Sequence, residues 1–208
     1  MKIRTIVVDD HRILRDGIKA LLREMENIEL VGEASNGHEL IPLLGNCNVD
    51  LILMDINMPK MNGIDASREA LKICPGVKII VLSMHDDIGY YDSIVQLGVD
   101  GFLLKESNYS ELEKAIESVF DGRPYFSQEL LLKLLRVKKD DSSVQITQRE
   151  KDVLQLICRG LSTAEIADKL FLSVSTIEKH RAELLVKTNS PNSTALAVYA
   201  MKNNLVDL

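Results

Sequence analysis

Five polar residues stand at the ends of apolar segments in the first half of the chain, and together they are suited to phosphate chemistry. The segments are short and rich in Val, Ile and Leu, and they end at Asp9 and Asp10, Asp55, Ser83 and Lys105. Carboxylates held close together repel each other unless a cation neutralises them, and oxygen ligands suit Mg²⁺. A cation and an ammonium group attract a phosphoryl group, to which a hydroxyl can donate a hydrogen bond. Asp55 is then available as a nucleophile that forms an aspartyl phosphate.

The elements that must position these residues alternate in type along the chain. Up to Gly122, apolar segments alternate with amphipathic helical patterns, which predicts five strand–helix units. Strands that are nearly continuous in Val, Ile and Leu are typical of a parallel sheet covered on both faces. We therefore expect an α/β fold with a doubly wound, five-stranded parallel sheet, whose ligand site lies at the carboxyl ends of the strands. The four later helices are predicted near residues 39–44, 64–73, 89–97 and 110–120.

Another class of protein with a nucleophilic aspartate is the haloacid-dehalogenase type of phosphatase. Its chemistry needs a second carboxylate two residues after the nucleophile, which acts as the general acid. That position here is Asn57, whose amide cannot protonate a leaving group. A single Asp or Lys at a strand end is usually a solvated surface residue. The functional interpretation therefore depends on the joint occurrence of these polar residues on four strands.

After Gly122 the strand signals stop. Ser127 is a candidate cap for a short helix at 130–135, and the polar run 137–143 is typical of an exposed linker. Helical patterns resume at Thr147. We predict a domain at residues 1–122, a linker at 123–146 and an all-α domain at 147–208.

The predicted all-α domain has the pattern of a helix-turn-helix. Thr147 with Glu150, and Ser162 with Glu165, fit the S/T-x-x-E capping box, and each pair precedes apolar residues at helical spacing. The turn at 171–173 is short enough to join two helices tightly. The third and fourth helices are predicted at about 175–187 and 194–202.

In a helix-turn-helix protein, the N-terminal part of the second helix of the motif lies in the major groove of DNA. Lys179 and Arg181 are suited to phosphates or base edges, and Lys187 to the flanking backbone. His180 is as suited to packing or to a phosphate as to a base. The candidate DNA-binding residues are Ser175, Thr176, Glu178, Lys179, His180, Arg181 and Lys187.

Glu178 admits two interpretations. Its carboxylate can accept a hydrogen bond from the N4 amino group of cytosine, which would carry sequence information. It can equally close a capping box with Ser175, three residues earlier, and the pattern slightly favours the cap.

Charge and composition narrow the class further. The 208 residues carry a net charge of −6, with 46% hydrophobic residues. The acid is concentrated in residues 1–122, with a net charge of −9, whereas residues 147–208 carry +1. Three distant cysteines indicate neither a disulfide framework nor a zinc site. The short N-terminal apolar run and the lack of a long one predict a soluble, cytoplasmic protein without membrane contact.

The chain resembles a known family in both halves. Asp9 and Asp10, residues 54–63 (M-D-I-N-M-P-K-M-N-G), Ser83 and Lys105 resemble the receiver domain of bacterial two-component response regulators. Residues 146–180 resemble the LuxR-type helix-turn-helix, on the motifs I-T-Q-R-E, G-L-S, E-I-A, L-S-V-S-T-I and a histidine. A CheY-like, flavodoxin-like receiver followed by this module is typical of the FixJ/NarL class.

The resemblance implies roles for the polar residues of the receiver. Asp55 would be the phospho-acceptor, and Lys105 would contact the phosphoryl group. Ser83 and Phe102 would form the switch pair, at positions where Thr and Tyr are also frequent. The implied Mg²⁺ ligands are Asp10, Asp55, the main-chain carbonyl of Asn57 and, through water, Asp9. His11 has no such role and is interpreted as structural or as a surface residue.

The resemblance also implies the partners. A sensor histidine kinase would donate the phosphoryl group, and phosphorylation would promote a homodimer on double-stranded DNA. Such a protein is no enzyme beyond its own phosphoryl transfer and dephosphorylation. The alternative is a phosphorylation-independent module that uses its receiver as a dimerisation scaffold, although all residues of the acidic pocket are present. The candidate dimerisation residues on the last helix are Thr194, Leu196, Ala197, Val198, Tyr199 and Met201.

Overall fold

The computed structural model describes residues 2–45, 48–84, 91–126, 144 and 146–206. The chain divides into two compact units, the first made of Met1–Asp87 with Phe102–Ile116, and the second of Ile88–Gly101 with Glu117–Leu208. The predicted helix at 130–135 and the polar run at 137–143 lie outside the described residues. No described helix combines the length and the apolar character that a bilayer span needs.

The sheet has the predicted parallel, doubly wound arrangement. Its strands are β1 Ile3–Val8, β2 Ile28–Ala34, β3 Leu51–Asp55, β4 Lys78–Ser83, β5 Gly101–Leu104 and β6 Tyr125–Phe126. They lie in the order β2-β1-β3-β4-β5-β6. β1 pairs in parallel with β2 and with β3, and β3 pairs in parallel with β4.

The expected number of five strands is wrong, because six are found among the described residues. The additional strand, β6, has only two residues and lies within the predicted linker. A segment of two residues is too short to show the alternation that identifies a strand in a sequence.

Helices follow each of the first five strands. They are α1 Arg12–Arg23, α2 Gly37–Leu43, α3 Gly63–Ile73, α4 Tyr91–Leu97 and α5 Tyr109–Phe120. The central strand β3 is buried along its whole length, since each of its residues is at most 1% exposed. The register pairs Val8 with Met54, so the residues that follow β1 lie beside the end of β3.

Four further helices are described in the second unit. They are α6 Gln148–Cys158, α7 Thr163–Leu170, α8 Val174–Lys187 and α9 Ser193–Lys202. Both predicted capping boxes are confirmed, with Thr147 and Glu150 at α6 and Ser162 and Glu165 at α7. The shared core includes Leu154, Ile157, Ile166, Ala167, Ile177, Leu184 and Leu196.

Candidate functional site

Three carboxylates converge at the carboxyl ends of the strands in the first unit. Asp9 and Asp10 directly follow β1, and Asp55 is the last residue of β3. Asp9 and Asp55 are buried, and Asp10 is half-buried. One potential ligand atom from each of these residues and from His11 lies within 4.8 Å of all the others. The sheet register thus produces the cluster of carboxylates that the strand ends predict.

Lys105 lies between two of the carboxylates. Its Nζ is 2.8 Å from Asp9 Oδ2 and 2.8 Å from Asp55 Oδ2, and its side chain is only 4% exposed. Burial alone would lower the pKa of Lys105, but the hydrogen bonds to Asp55 and Asp9 outweigh burial and raise it. Lys105 therefore carries its positive charge inside the site.

Burial raises the pKa of Asp55 to about 6, and the hydrogen bond from Lys105 offsets only part of this effect. The three carboxylates and one ammonium group leave a net negative charge when all are ionised. A hard divalent cation with oxygen ligands fits this donor set, because it would neutralise the remaining charge and favour the ionised form of Asp55.

The backbone around Asp55 is held by its contact with the start of α3. Asn57 N donates to Asp55 Oδ1 at 3.3 Å, and Gly63 N donates to the Ile56 carbonyl at 2.8 Å. A Cβ atom on residue 63 would lie 2.0 Å from the Asp55 carbonyl oxygen. Only glycine therefore permits this close approach, which positions the loop that carries Asp55 and Asn57.

His11 is a member of the cluster that the sequence did not indicate. Its backbone N–H donates to Asp9 Oδ1 at 2.8 Å, and its Nδ1 lies 2.9 Å from Asp10 Oδ1. The side chain is 62% exposed, so it borders the site on the solvent side. The one available signal was its position next to the acidic pair.

The two residues of the implied switch pair lie on neighbouring strands, Ser83 at the end of β4 and Phe102 within β5. Ser83 is buried, and its hydroxyl donates to the Met84 carbonyl at 2.8 Å. Lys105 N donates to the Ser83 carbonyl at 2.9 Å, which brings the ends of β4 and β5 to the same edge. Phe102 on β5 is completely buried.

In the second unit, α7 and α8 form the helix-turn-helix. Ile177 and Leu184 of α8 are fully buried, while Ser175, Glu178 and Lys179 are exposed. Residues three and four positions apart share one face of a helix, so these three side chains form a common exposed surface.

The remaining four candidate DNA-binding residues have intramolecular contacts. Thr176 Oγ1 lies 2.7 Å from Ser173 Oγ, and His180 Nδ1 lies 3.6 Å from the Glu183 carboxylate. Lys187 and Arg181 contact residues of other segments of the unit, which sequence spacing could not indicate.

Lys187 Nζ is 2.7 Å from Glu150 Oε1 on α6. The Arg181 guanidinium donates to the hydroxyls of Thr163 and Ser193 and, at 3.0 Å, to the Gly122 carbonyl. These contacts direct both cations towards the protein itself in this structure.

Family models match both parts of the chain. The response regulator receiver domain matches residues 5–117, and the LuxR family of bacterial regulatory proteins matches residues 144–200. The chain belongs to the FixJ/NarL class of response regulators. This regulator is therefore a transcriptional regulator with a LuxR-type DNA-binding domain, and not a metabolic enzyme.

Relatives are similar to the regulator over nearly its whole length. The transcriptional regulatory protein DegU of Brevibacillus brevis is 33% identical, with 99% of this chain and 95% of its own length covered. The transcriptional regulatory protein MctR of Rhizobium johnstonii is 36% identical, with coverage of 99% and 96%. A structure of two RcsB dimers bound to two parallel DNAs matches with a TM-score of 0.62 at 26% identity, covering 97% of this chain and 99% of that one.

Glu178 does not belong to a helix cap in this regulator. The N-cap of α8 is Ser173, whose side chain accepts from Thr176 N at 3.1 Å. A capping box would place its glutamate at residue 176, so the interpretation that pairs Glu178 with Ser175 is wrong. The reason is that α8 begins one residue earlier than predicted.

The candidate dimerisation residues of the regulator lie on α9, and most of them are buried. Tyr199 is half-buried, while the other five are at most 3% exposed. Within the second unit α9 packs against α4, α6 and α8. At its start, Asn192 donates to the carbonyls of Gly98 and Val99, and Thr194 donates to the carbonyl of Asp100.

Proposed function

We propose that a sensor histidine kinase phosphorylates Asp55 in the presence of Mg²⁺, and that phosphorylation promotes dimerisation and binding to double-stranded DNA. The observation that carries this proposal is the position of Lys105, 2.8 Å from both Asp9 and Asp55 within a cluster of three carboxylates. A buried nucleophile beside a fixed ammonium group and a divalent-cation donor set is suited to accepting phosphorus.

The carboxylates of Asp10 and Asp55 and the main-chain carbonyl of Asn57 would hold the Mg²⁺, with Asp9 acting through water. When bound, the cation would neutralise charge on the phosphoryl oxygens. Asp9 also holds Lys105 in place and fixes the loop after β1, since its Oδ1 accepts from His11 N.

In the proposed reaction, an Asp55 carboxylate oxygen attacks phosphorus of the kinase phosphohistidine. The new P–O bond forms as the P–N bond breaks, and the imidazole leaves with the electron pair. Lys105 contacts a phosphoryl oxygen and balances its charge. Later attack by water on phosphorus releases phosphate and regenerates Asp55.

The added charge would be sensed by the switch pair. The Ser83 hydroxyl, which now donates to the Met84 carbonyl, would turn to a phosphoryl oxygen, and the Phe102 ring would adjust with it. Phosphorylation shifts the equilibrium only by its differential contacts in the two states, which typically amount to about 1–3 kcal/mol.

Dimerisation through α9 requires part of its surface to become accessible. The contacts of Asn192 and Thr194 with residues 98–100 would have to open. RcsB binds DNA as dimers, which supports the same assembly here. Two reading helices contact more base pairs than one, so a dimer would also gain affinity and specificity. Kinase-supplied phosphate and target DNA are both cytoplasmic, and we place the regulator there.

The decisive experiment incubates the full chain with a small-molecule phosphodonor and Mg²⁺ and measures bound phosphate. Wild-type protein should take up one phosphoryl group, Asp55→Asn should take up none, and chelation of the cation should abolish uptake. Uptake by Asp55→Asn, or none by wild type, would favour the phosphorylation-independent scaffold.

The DNA-binding part is tested with Lys179→Ala. This variant should bind duplex DNA of any sequence more weakly than wild type. The slope of log affinity against log salt concentration should become shallower by about one. Lys72→Ala, which removes an exposed lysine of α3, is the matched control and should bind as wild type. Equal binding by both variants would mean that α8 is not the helix that contacts DNA.

A further inference from the structure

We propose that Glu178 reads a cytosine in the major groove and so determines the base preference of the regulator at one position of each half-site. This inference rests on the proposed function in one respect, because it requires α8 to lie in the groove. It goes further by naming the base that the helix selects and the side chain that selects it.

The first observation is that Glu178 takes no part in the cap of α8 and, among the described residues, in no hydrogen bond or close ion pair. The N-cap of α8 is Ser173, so Glu178 lies outside the cap. Among the described residues, no hydrogen bond or ion pair within 4.0 Å involves Glu178, which is exposed. An unpaired carboxylate on a surface that approaches phosphates is unfavourable unless the DNA itself supplies a donor.

The cations nearest to Glu178 in the sequence form their close contacts elsewhere. Lys179 Nζ lies 4.0 Å from the Glu183 carboxylate. Arg181 is attracted by the charge of Glu178 at longer range, but its guanidinium donates to hydroxyls of α7 and α9. The position one turn later, where a lysine would form the usual helical ion pair, is Ala182. No cation of the described residues therefore forms a hydrogen bond or an ion pair within 4.0 Å with this carboxylate.

The second observation is the shape of the exposed face around Glu178. Its neighbours on this face are Ser175, one turn earlier, and Ala182, one turn later, and both are small and exposed. The long side chain of Glu178 therefore lies between two short side chains on this face. Lys179 beside it offers a positive charge for the adjacent phosphates.

The chemistry of the groove then selects the base. A carboxylate only accepts hydrogen bonds, and the major groove offers donors only on cytosine N4 and adenine N6. Adenine also presents N7, an acceptor whose lone pair repels a carboxylate bound at N6. Cytosine has no acceptor on its groove edge, whereas guanine and thymine present oxygen acceptors. Glu178 therefore favours cytosine and disfavours the other three bases.

The test selects binding sites from a random duplex library with the phosphorylated full chain, and then measures affinities for single-base variants. Wild-type protein should require one C·G pair in each half-site and lose about tenfold or more in affinity when it is replaced. For Glu178→Ala, the affinities for duplexes with any of the four base pairs at that position should differ by no more than about threefold. Glu183→Ala removes another carboxylate of α8 and should keep the cytosine preference.

A base analogue isolates the hydrogen bond. That cytosine is replaced by 2-pyrimidinone, which lacks only the N4 amino group. The replacement should lower the DNA affinity of wild-type protein about tenfold and leave the DNA affinity of Glu178→Ala unchanged. Unchanged thermal unfolding of Glu178→Ala would show that the substitution leaves the fold intact.

The other outcomes overturn the inference. A preference for adenine, or a cytosine preference that survives in Glu178→Ala, would mean that another residue reads the base, while DNA binding itself would stand. A wild-type protein that binds no duplex even at low salt would refute the proposed function together with this inference.

Discussion

At the scale of single residues, we expect the Lys105 ammonium group to compete with a cation for the carboxylates of Asp9 and Asp55. Lys105→Met should raise the affinity for Mg²⁺ on the order of tenfold, because two carboxylates lose their only buried ammonium partner among the described residues. The variant should nevertheless fail to couple phosphorylation to DNA binding, since the contact to the phosphoryl group is gone. Calorimetric titration with Mg²⁺ measures the first effect. Asp10→Asn is the control and should bind the cation more weakly; an unchanged affinity in Lys105→Met would contradict the competition.

The sequence indicated which acidic residues come together better than it indicated the orientation of the side chains on α8. Asp9, Asp55 and Lys105 end strongly apolar strands, so the sheet itself determines where they meet. The orientation of Arg181 and Lys187 depends on Thr163, Ser193 and Glu150, which are distant in sequence. No local pattern could reveal those contacts, whereas the position of His11 directly after the acidic pair was the one signal of its proximity to the carboxylates.

At the scale of elements, the turn between β3 and α3 depends on Gly63. Gly63→Ala should lower the free energy of unfolding by about 2 kcal/mol or more, because the added Cβ would meet the Asp55 carbonyl at 2.0 Å. It should also slow phosphorylation, since Asp55 must shift. Gly17→Ala is a matched control, because residue 17 is exposed within α1 and a Cβ there meets nothing within 4 Å. The free energy of unfolding of that variant should rise by up to about 1 kcal/mol. Urea unfolding measures the free energy of unfolding of both variants, and equal values would refute the packing argument.

The link between α6 and α8 should make the helical unit sensitive to acid. Burial would raise the pKa of Glu150, but the hydrogen bonds from Lys187 and Thr147 outweigh it and lower the pKa to about 2. Since the folded pKa lies below the ordinary value of 4.5, this stabilisation is complete above about pH 4.5 and is lost as the pH falls towards 2. Lys187→Met should therefore show a shallower loss of thermal stability over this range.

Thermal unfolding of the full chain between pH 7 and pH 2 measures this effect. At pH 7 the variant should be about 1–2 kcal/mol less stable than wild type. Lys72→Met breaks an exposed pair with Glu69 and should change little at any pH. Parallel pH curves for wild type and Lys187→Met would show that the pair does not contribute.

The elements themselves were predicted unevenly, for physical reasons. Long Val/Ile/Leu strands and capping boxes carry strong local signals, and both capping boxes are confirmed. β6 is too short to carry one. In α8 only Ile177 and Leu184 are fully buried, and they lie seven residues apart. The apolar pattern therefore did not determine where α8 begins or which face of it is buried. The cap at Ser173 became evident only from the backbone.

At the scale of the whole molecule, charge is divided between the two functions. Residues 1–122, which include the acidic cluster, carry a net charge of −9, while residues 147–208 carry only +1. Nonspecific attraction between one copy and DNA should therefore be weak, because affinity from phosphate contacts grows with the number of cations. We therefore expect its affinity for DNA to depend on base contacts such as that proposed for Glu178, and on the proposed dimer.

The proposed dimer predicts the spacing of the half-sites in the operator. Two copies related by a two-fold axis place their α8 helices about one helical turn apart, roughly 34–36 Å along the DNA. Inserting about 5 base pairs between the half-sites turns one of them to the opposite face of the duplex. Affinity of the phosphorylated protein should then fall to that for a duplex with a single half-site, at least about tenfold below the intact site. Asp55→Asn should bind all three duplexes alike, because it does not dimerise. Binding titrations with these duplexes distinguish the models, since equal affinities of the phosphorylated protein for all three would show that it binds DNA as a monomer.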